Sequence, residues 1–344
     1  MTRTANVGRH WALAVTLLAA GVALVGMPAQ AGPVGAPVPV TAVDPEGGSK
    51  TLRDQLDAAA RGYIDAKARY DFSKRTQAVL VERIRTTELR LALIVEQVSV
   101  VAAASYRTGR LGVVTALLES GSPDAFLDRA TSVELLAMQE DAQLADLRHT
   151  QRLLAQQRDR INAEMTMQTV QLAEMEKRKR DAERALAAVG GRVSGGFVSG
   201  SSPAARPAPR NSDGTWPRES CTVNDPTTTG CLTPRMYHAY LQTKAAGFTR
   251  YVSCYRPSGY GEHPKGRACD WAAQVGGFGG TAYGSDKYYG DRLASFYVAN
   301  ADRLGVMYVI WYRQIWMPGT GWRSYSAGSD PASAHTNHVH VSVY

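Results

Sequence analysis

Residues 51–107 are dominated by Ala, Leu, Arg, Glu and Gln and contain no proline. Within them Leu80, Ile84, Leu91, Ile94 and Val101 recur at steps of three, four and seven, the period of a helix with one apolar stripe. A second long helix is predicted over residues 132–189, where Leu144, Leu147, Leu154, Ile161, Met165 and Leu172 keep a comparable stripe. Two such stripes bury each other most readily as an antiparallel hairpin or coiled coil, giving a helical unit over residues 51–189. Between them Gly109, Gly112, Gly121 and Pro123 interrupt the period, which places the tip near residues 108–130. Leu111, Val113, Val114, Leu117, Leu118, Phe126 and Leu127 make this tip apolar. That composition fits either a small local core or a surface for a partner.

The pattern then changes twice. Residues 190–215 are rich in Gly, Ser and Pro with few apolar side chains, and predict a flexible linker between independently folding parts. From Trp216 to the end, short apolar runs alternate with turn residues. Helices are predicted over 237–246, behind Thr233-Pro234, and over 291–304. Strands are predicted over 251–255, 267–275, 307–311, 314–316 and 339–344. The expected class is therefore an α+β C-terminal domain, a small antiparallel sheet with flanking helices over 216–344, preceded by a long helical hairpin.

The N-terminus alters where this chain should act. Arg3 and Arg9 flank a mostly apolar run over 11–25, followed by Ala29-Gln30-Ala31, the pattern of a secretory signal over residues 1–31. The run is short for a spanning helix, which takes about 20 residues, although an uncleaved anchor shares the pattern. Residues 32–50 read as a disordered spacer. Export to the cell envelope makes the even cysteine count informative. No close pair among Cys221, Cys231, Cys254 and Cys269 has structural-zinc spacing, so disulfides are expected rather than thiolate ligands. Of three pairings, 221–231, which closes a short loop, and 254–269, which would staple one half of the candidate metal site, are favoured. The net charge of +8 suits an anionic envelope polymer. It lacks the basic–aromatic interleaving of a nucleic-acid surface, so no nucleic acid is expected as partner.

The candidate chemistry lies at the two ends of the last domain. Three of the seven histidines, His335, His338 and His340, fall in the last ten residues. On a strand His338 and His340 share a face, so one can ligate a metal while the other stands beside it. Upstream, His263 and Asp270 can converge because Gly266 lets the chain turn between them. A catalytic zinc takes three such ligands and keeps one position open, and a second group must then move the proton. His238 and His149 lie in helical patterns without partners and read as structural and solvated.

Two resemblances extend this reading. Ala104-Ser105-Tyr106-Arg107-Thr108-Gly109, with Leu-Leu-Glu-Ser at 117–120 and Asp-Ala-Phe-Leu at 124–127, resembles the coiled coils of bacterial cell-division hydrolases and their activators. In those proteins the coil restrains the enzyme or docks on a membrane transporter or division complex. Tyr255-Arg256-Pro257, Glu262-His263-Pro264-x-Gly266-Arg267-Ala268-x-Asp270 and the closing His-x-His resemble the LAS-type metallopeptidases. These include lysostaphin-like enzymes, D-Ala-D-Ala carboxypeptidases and the penicillin-insensitive murein endopeptidase.

The second resemblance implies Zn2+ held by His263, Asp270 and His340, peptidoglycan stem peptides as substrate, and Arg256 orienting a substrate carbonyl or carboxylate. Such carboxypeptidases carry a Glu three positions before the last zinc histidine. Here that position is Asn337, which cannot take a proton at neutral pH. Lysostaphin-like and murein endopeptidase sites place a histidine two positions before that ligand, and the murein enzyme another five before, which implies His338 as base with His335 assisting. The alternative expectation is a weak or inactive envelope protein that binds wall or metal and recruits another hydrolase.

Overall fold

The structure is a computed structural model that describes residues 48–197, 202–257, 259–325 and 328–344. The signal segment and nearly all of the spacer lie outside the described residues. The chain begins with α1 (Lys50–Leu118) and α2 (Pro123–Ala187), which pack along each other as a hairpin. Each start is capped: Ser49 accepts from the Leu52 amide, and Ser122 accepts from the Ala125 amide with Pro123 in the first turn. Both helices run further into the tip than the glycines predict. Gly109 leaves helical dihedrals (φ 66°, ψ 169°), so α1 is two helical segments joined by a kink there, a backbone conformation that glycine adopts readily. Thr131 and Ser132, which resemble a cap in sequence, instead bond back to the Leu127 and Asp128 carbonyls inside α2. The tip is thus a short turn at 119–122.

The C-terminal part is a six-stranded antiparallel sheet with helices on one face. In chain order its elements are β1 (Val223–Asn224), β2 (Cys231–Leu232), α3 (Pro234–Ala245), β3 (Val252–Ser253), β4 (Ala268–Ala272), α4 (Gly284–Ala299), α5 (Ala301–Leu304), β5 (Val306–Trp311), β6 (Gln314–Met317), β7 (Gly321–Ser324) and β8 (His338–Val343). The sheet order is β3-β4-β8-β5-β6-β7, while β1 and β2 form a separate ribbon. The last strand is therefore central. On one face Val339, Val341 and Val343 of β8 pack with Trp271, Val309 and Trp311 against Met236 of α3 and Leu293, Phe296 and Tyr297 of α4.

The opposite face carries the histidines, and it is covered by the base of the helical hairpin. Leu52, Leu56, Ala60, Ile64, Ala182 and Leu186 share one core with Met307, Tyr308, Ile310, Ile315, Met317 and Tyr325. Every residue of β5 and β8 is buried as a result. Two independently folding parts are not what the chain forms, because the sheet is apolar on both faces and the hairpin supplies its second cover. The expected flexible linker is also corrected. Ala205 and Ala208 are buried, and the backbone amides of Ala205, Arg206 and Ala208 donate to Asn300 Oδ1, Gln242 Oε1 and the Arg303 carbonyl at 2.7–2.8 Å. His238 Nε2 lies 2.8 Å from the Arg206 carbonyl of the same strap. An extended Pro-rich stretch cannot pair with itself, and here a helix face satisfies it.

Both favoured disulfides form, Cys221–Cys231 and Cys254–Cys269, in keeping with an oxidising, extracytoplasmic setting. The second joins β4 to the segment after β3 and closes a loop of 15 residues. Its loss through Cys254→Ser with Cys269→Ser is expected to lower stability by about 3 kcal/mol, read as a lower urea midpoint.

Candidate metal centre

Strand pairing brings the candidate ligands together. Asp270 of β4 stands directly opposite His340 of β8, and Ala272 opposite His338, so the Asp270 and His340 side chains share one face as cross-strand neighbours. His263 lies on a 3-10 turn (His263–Lys265) closed by Gly266 in the left-handed region at φ 66°. A Cβ on Gly266 would also meet Cys221 Sγ at 2.4 Å, so both dihedral and space require glycine. His263 Nε2 then lies 3.2 Å from Asp270 Oδ1 and 3.2 Å from His340 Nδ1, and His340 Nδ1 is 2.8 Å from Asp270 Oδ1.

The remaining atoms of these groups are already engaged. His263 Nδ1 donates to the Cys254 carbonyl, which leaves Nε2 as a lone pair facing the centre. His340 Nε2 bonds Ser342 Oγ at 2.8 Å, and Asp270 Oδ2 accepts from Arg256 Nη1 at 2.7 Å. Outer partners of this kind fix the tautomer and direction of metal ligands. Four-coordinate zinc with bonds of about 2.0–2.1 Å needs ligand atoms about 3.3–3.4 Å apart, close to the spacings found. The buried group His263, Asp270 and His340 could thus hold a metal ion. Burial opposes ionisation of Asp270, but the surrounding imidazoles, with the hydrogen bond from His340 Nδ1, hold its pKa well below the ordinary carboxylate value.

His338 stands beside this group, with Nε2 3.6 Å from Asp270 Oδ1. Its orientation comes from Asn337. The Asn337 amide donates through Nδ2 to the Gly279 carbonyl at 2.8 Å, so Oδ1 turns to His338 Nδ1 at 2.7 Å. His338 therefore carries its proton on Nδ1 and points an unprotonated Nε2 inward. Burial, with opposition from the neighbouring histidines, lowers its pKa to about 4, although Asp270 pulls the other way.

His335 completes the wall, its ring 4.8 Å from that of His338. The His335 backbone is held at φ 51°, and Nδ1 donates to the Ser333 carbonyl at 3.1 Å. Its Nε2 is buried without a hydrogen-bond partner among the described residues. Burial and the adjacent His338 and His340 keep this ring's pKa well below the usual value. Phe278, from the glycine-rich loop that supplies Gly279, packs edge-on to His338.

Sequence reasoning missed the groups that α1 brings. Arg53 lies over the Tyr308 ring at 5.9 Å, and Tyr308 stacks on His340. Only about 10 Å³ of space remains among Arg53, Leu56, Asp57 and Tyr308, roughly what one water occupies. Arg61 bonds the fully buried Glu262 at 2.8 Å, and Lys265 bonds its other oxygen at 2.9 Å. Ser342 was readable as two positions beyond His340 on the same strand face, but contacts across about 200 residues leave no local signal.

Asp57 makes this seam pH-sensitive. Burial first, then its hydrogen-bonded neighbour Glu262, pushes the Asp57 carboxyl up to about 8. Burial would also raise Glu262, but Arg61, the Asp57 hydrogen bond and Lys265 hold it at about 2. Asp57 thus keeps a proton in the closed form that it releases once freed, so its contribution is complete below its unfolded value near 3.8 and fades as pH rises through about 8. Between pH 5 and 9 the exchange protection of the first turns of α1 is expected to fall, and Asp57→Asn is expected to flatten that profile.

Residues 228–339 match a family model described as VldE, C-terminal domain. The matched stretch contains Arg256, His263, Asp270, His335 and His338, and stops one residue before His340. No curated protein and no solved structure matches the chain.

Proposed function

We propose that the chain is an exported, zinc-dependent peptidase acting on peptidoglycan stem peptides or cross-links, held closed by its own helical hairpin. The observation that carries this reading is the convergence of His263 Nε2, Asp270 Oδ1 and His340 Nδ1, each with its other polar atom already bonded. A zinc ion held there would polarise the scissile carbonyl and acidify a water molecule. His338, neutral and fixed by Asn337, takes the proton at Nε2 and passes it to the leaving amine. His335 Nε2, also a lone pair, accepts from water or a substrate N–H. Arg256 offsets the Asp270 charge and, with a side chain about a quarter exposed, reaches toward a substrate carbonyl or carboxylate.

The hairpin base lies where a peptide would enter, so turnover requires that α1 move. The exposed Leu89, Leu93, Val100, Tyr106, Leu118, Leu127 and Leu135 along the outer coil and tip support a partner there, and a membrane transporter or division complex is our proposal. The test uses the full exported chain and its Arg61→Glu variant. Zinc is measured by elemental analysis, and fragments released from peptidoglycan are counted with and without chelator. Zinc at one equivalent and chelator-sensitive release by the variant are expected, whereas protein free of zinc that releases nothing rejects the proposal. A second reading, a non-cleaving envelope protein that recruits another hydrolase, draws on Asn337 in place of a carboxylate and on the sealed site. It predicts bound zinc with no release by either form.

A further inference from the structure

A cavity of about 290 Å³ opens at the edge of the seam between hairpin and domain, away from the histidines. Tyr63 and Lys67 of α1 form one wall, and Trp216, Trp316, Asp302 and Gly319 form much of the other. The two tryptophans differ. Trp216 already carries Arg210 and Arg235 over its ring, their guanidinium carbons 3.7 and 4.8 Å from its centroid. Trp316 is half-buried, and no aromatic ring or cation stacks on it among the described residues. Tyr63 is likewise unstacked by ring or cation and lies close against Gly319, where a Cβ would meet the ring at 2.4 Å. Neither the Tyr63 hydroxyl nor the Trp316 indole N–H has a hydrogen-bond partner among the described residues. Lys67 and Asp302 face each other across the rim at 3.5 Å.

These features select a ligand chemistry. Pockets of roughly 300 Å³ hold small molecules, with apolar walls giving contact and a few polar groups setting orientation. An acyl chain would leave the phenol and the indole N–H without partners. A pyranose ring presents polarised C–H bonds on its faces, which suit the negative face of an aromatic ring, and hydroxyls around its edge, which suit the polar groups. We propose that this cavity binds one pyranose unit of a glycan. Because its walls come from both α1 and the domain, a bound sugar favours the closed arrangement. At ten times Kd, occupancy lowers the ratio of open to closed form about 11-fold. The inference stands apart from the peptidase reading, since it concerns neither metal nor cleavage.

The full-length exported chain is titrated with β-1,4-linked N-acetylglucosamine trimer and with cellotriose, followed by tryptophan fluorescence and saturation-transfer NMR. Saturable binding of at least one probe is expected, and the pair separates N-acetylated wall-type sugar from neutral glucan. Tyr63→Ala, at a half-buried helix position, and Ala299→Phe, which fills the cavity from an exposed site, are each expected to weaken binding at least 10-fold, the second with unchanged melting temperature. Bound trimer is expected to slow exchange in residues 52–67. No saturable binding of either sugar, binding unchanged in both variants, or displacement of the sugar by a fatty acid would each overturn the proposal.

Discussion

Arg61→Glu is expected to lift the hairpin base off the histidine face. Glu262 is fully buried, yet three cations face it: Arg61 at 2.8 Å, Lys265 at 2.9 Å and Arg267 at 3.7 Å. Only Arg61 comes from the hairpin, and its guanidinium also lies over the Tyr344 ring at 5.3 Å. Reversing its charge removes that attraction and places a like charge against a carboxylate that cannot reach water. Breaking a buried pair from one side costs about 3–5 kcal/mol; because Arg61 is about a quarter exposed, roughly 2–4 kcal/mol is a better figure here. That corresponds to roughly 30- to 1,000-fold less exchange protection over the first turns of α1. Lys50→Glu is the control, since the Lys50–Asp54 pair is largely exposed and screened by solvent. Equal protection in Arg61→Glu and the parent chain would show that Glu262 does not anchor the hairpin.

The second large effect separates ligand from base among the terminal histidines. His340→Ala deletes one of three converging donors and is expected to weaken zinc binding more than about 100-fold, beyond the 10- to 100-fold typical of outer-shell losses. His338→Ala is expected to keep its metal and lose about 10²- to 10⁴-fold in cleavage, measured in an Arg61→Glu background so that the site is open. Asn337→Ala, which strips the acceptor from His338 Nδ1, is expected to cost about 10-fold and to shift the acid limb of the pH profile. Metal loss in His338→Ala with retention in His340→Ala would reverse the two roles.

The fold class was legible because its signals are periodic. The long stripes gave the two helices, and alternation in 339–344 placed His338 and His340 on one face of β8. The favoured cysteine pairs and the His263–Asp270 convergence were also within reach, since loop length and one glycine constrain them. What escaped was the second use of the hairpin stripe. Leu52, Leu56 and Ile64 extend the same helical pattern, but their partners are Tyr308, Ile310 and Ile315, more than 200 residues away, and no local period encodes that. Residues 202–215 misled for the opposite reason. Composition marks a stretch poor in core-forming side chains, while Asn300, Gln242 and Arg303 hold it down by hydrogen bonds that composition does not record. Asn337 reads in sequence as a missing base, and in the structure as the group that orients His338.

The length of the hairpin has a mechanical consequence. From Lys50 to the kink at Gly109, α1 runs unbroken and at 1.5 Å per residue is roughly 90 Å long, while the contacts that close the site occupy only its first few turns. A tilt of about 5° at the base displaces the far end by roughly 8 Å. Leverage therefore runs both ways: a modest pull on the distant turn becomes a small, forceful motion at Arg53, and thermal swaying of a free arm is resisted by the few bonds around Glu262.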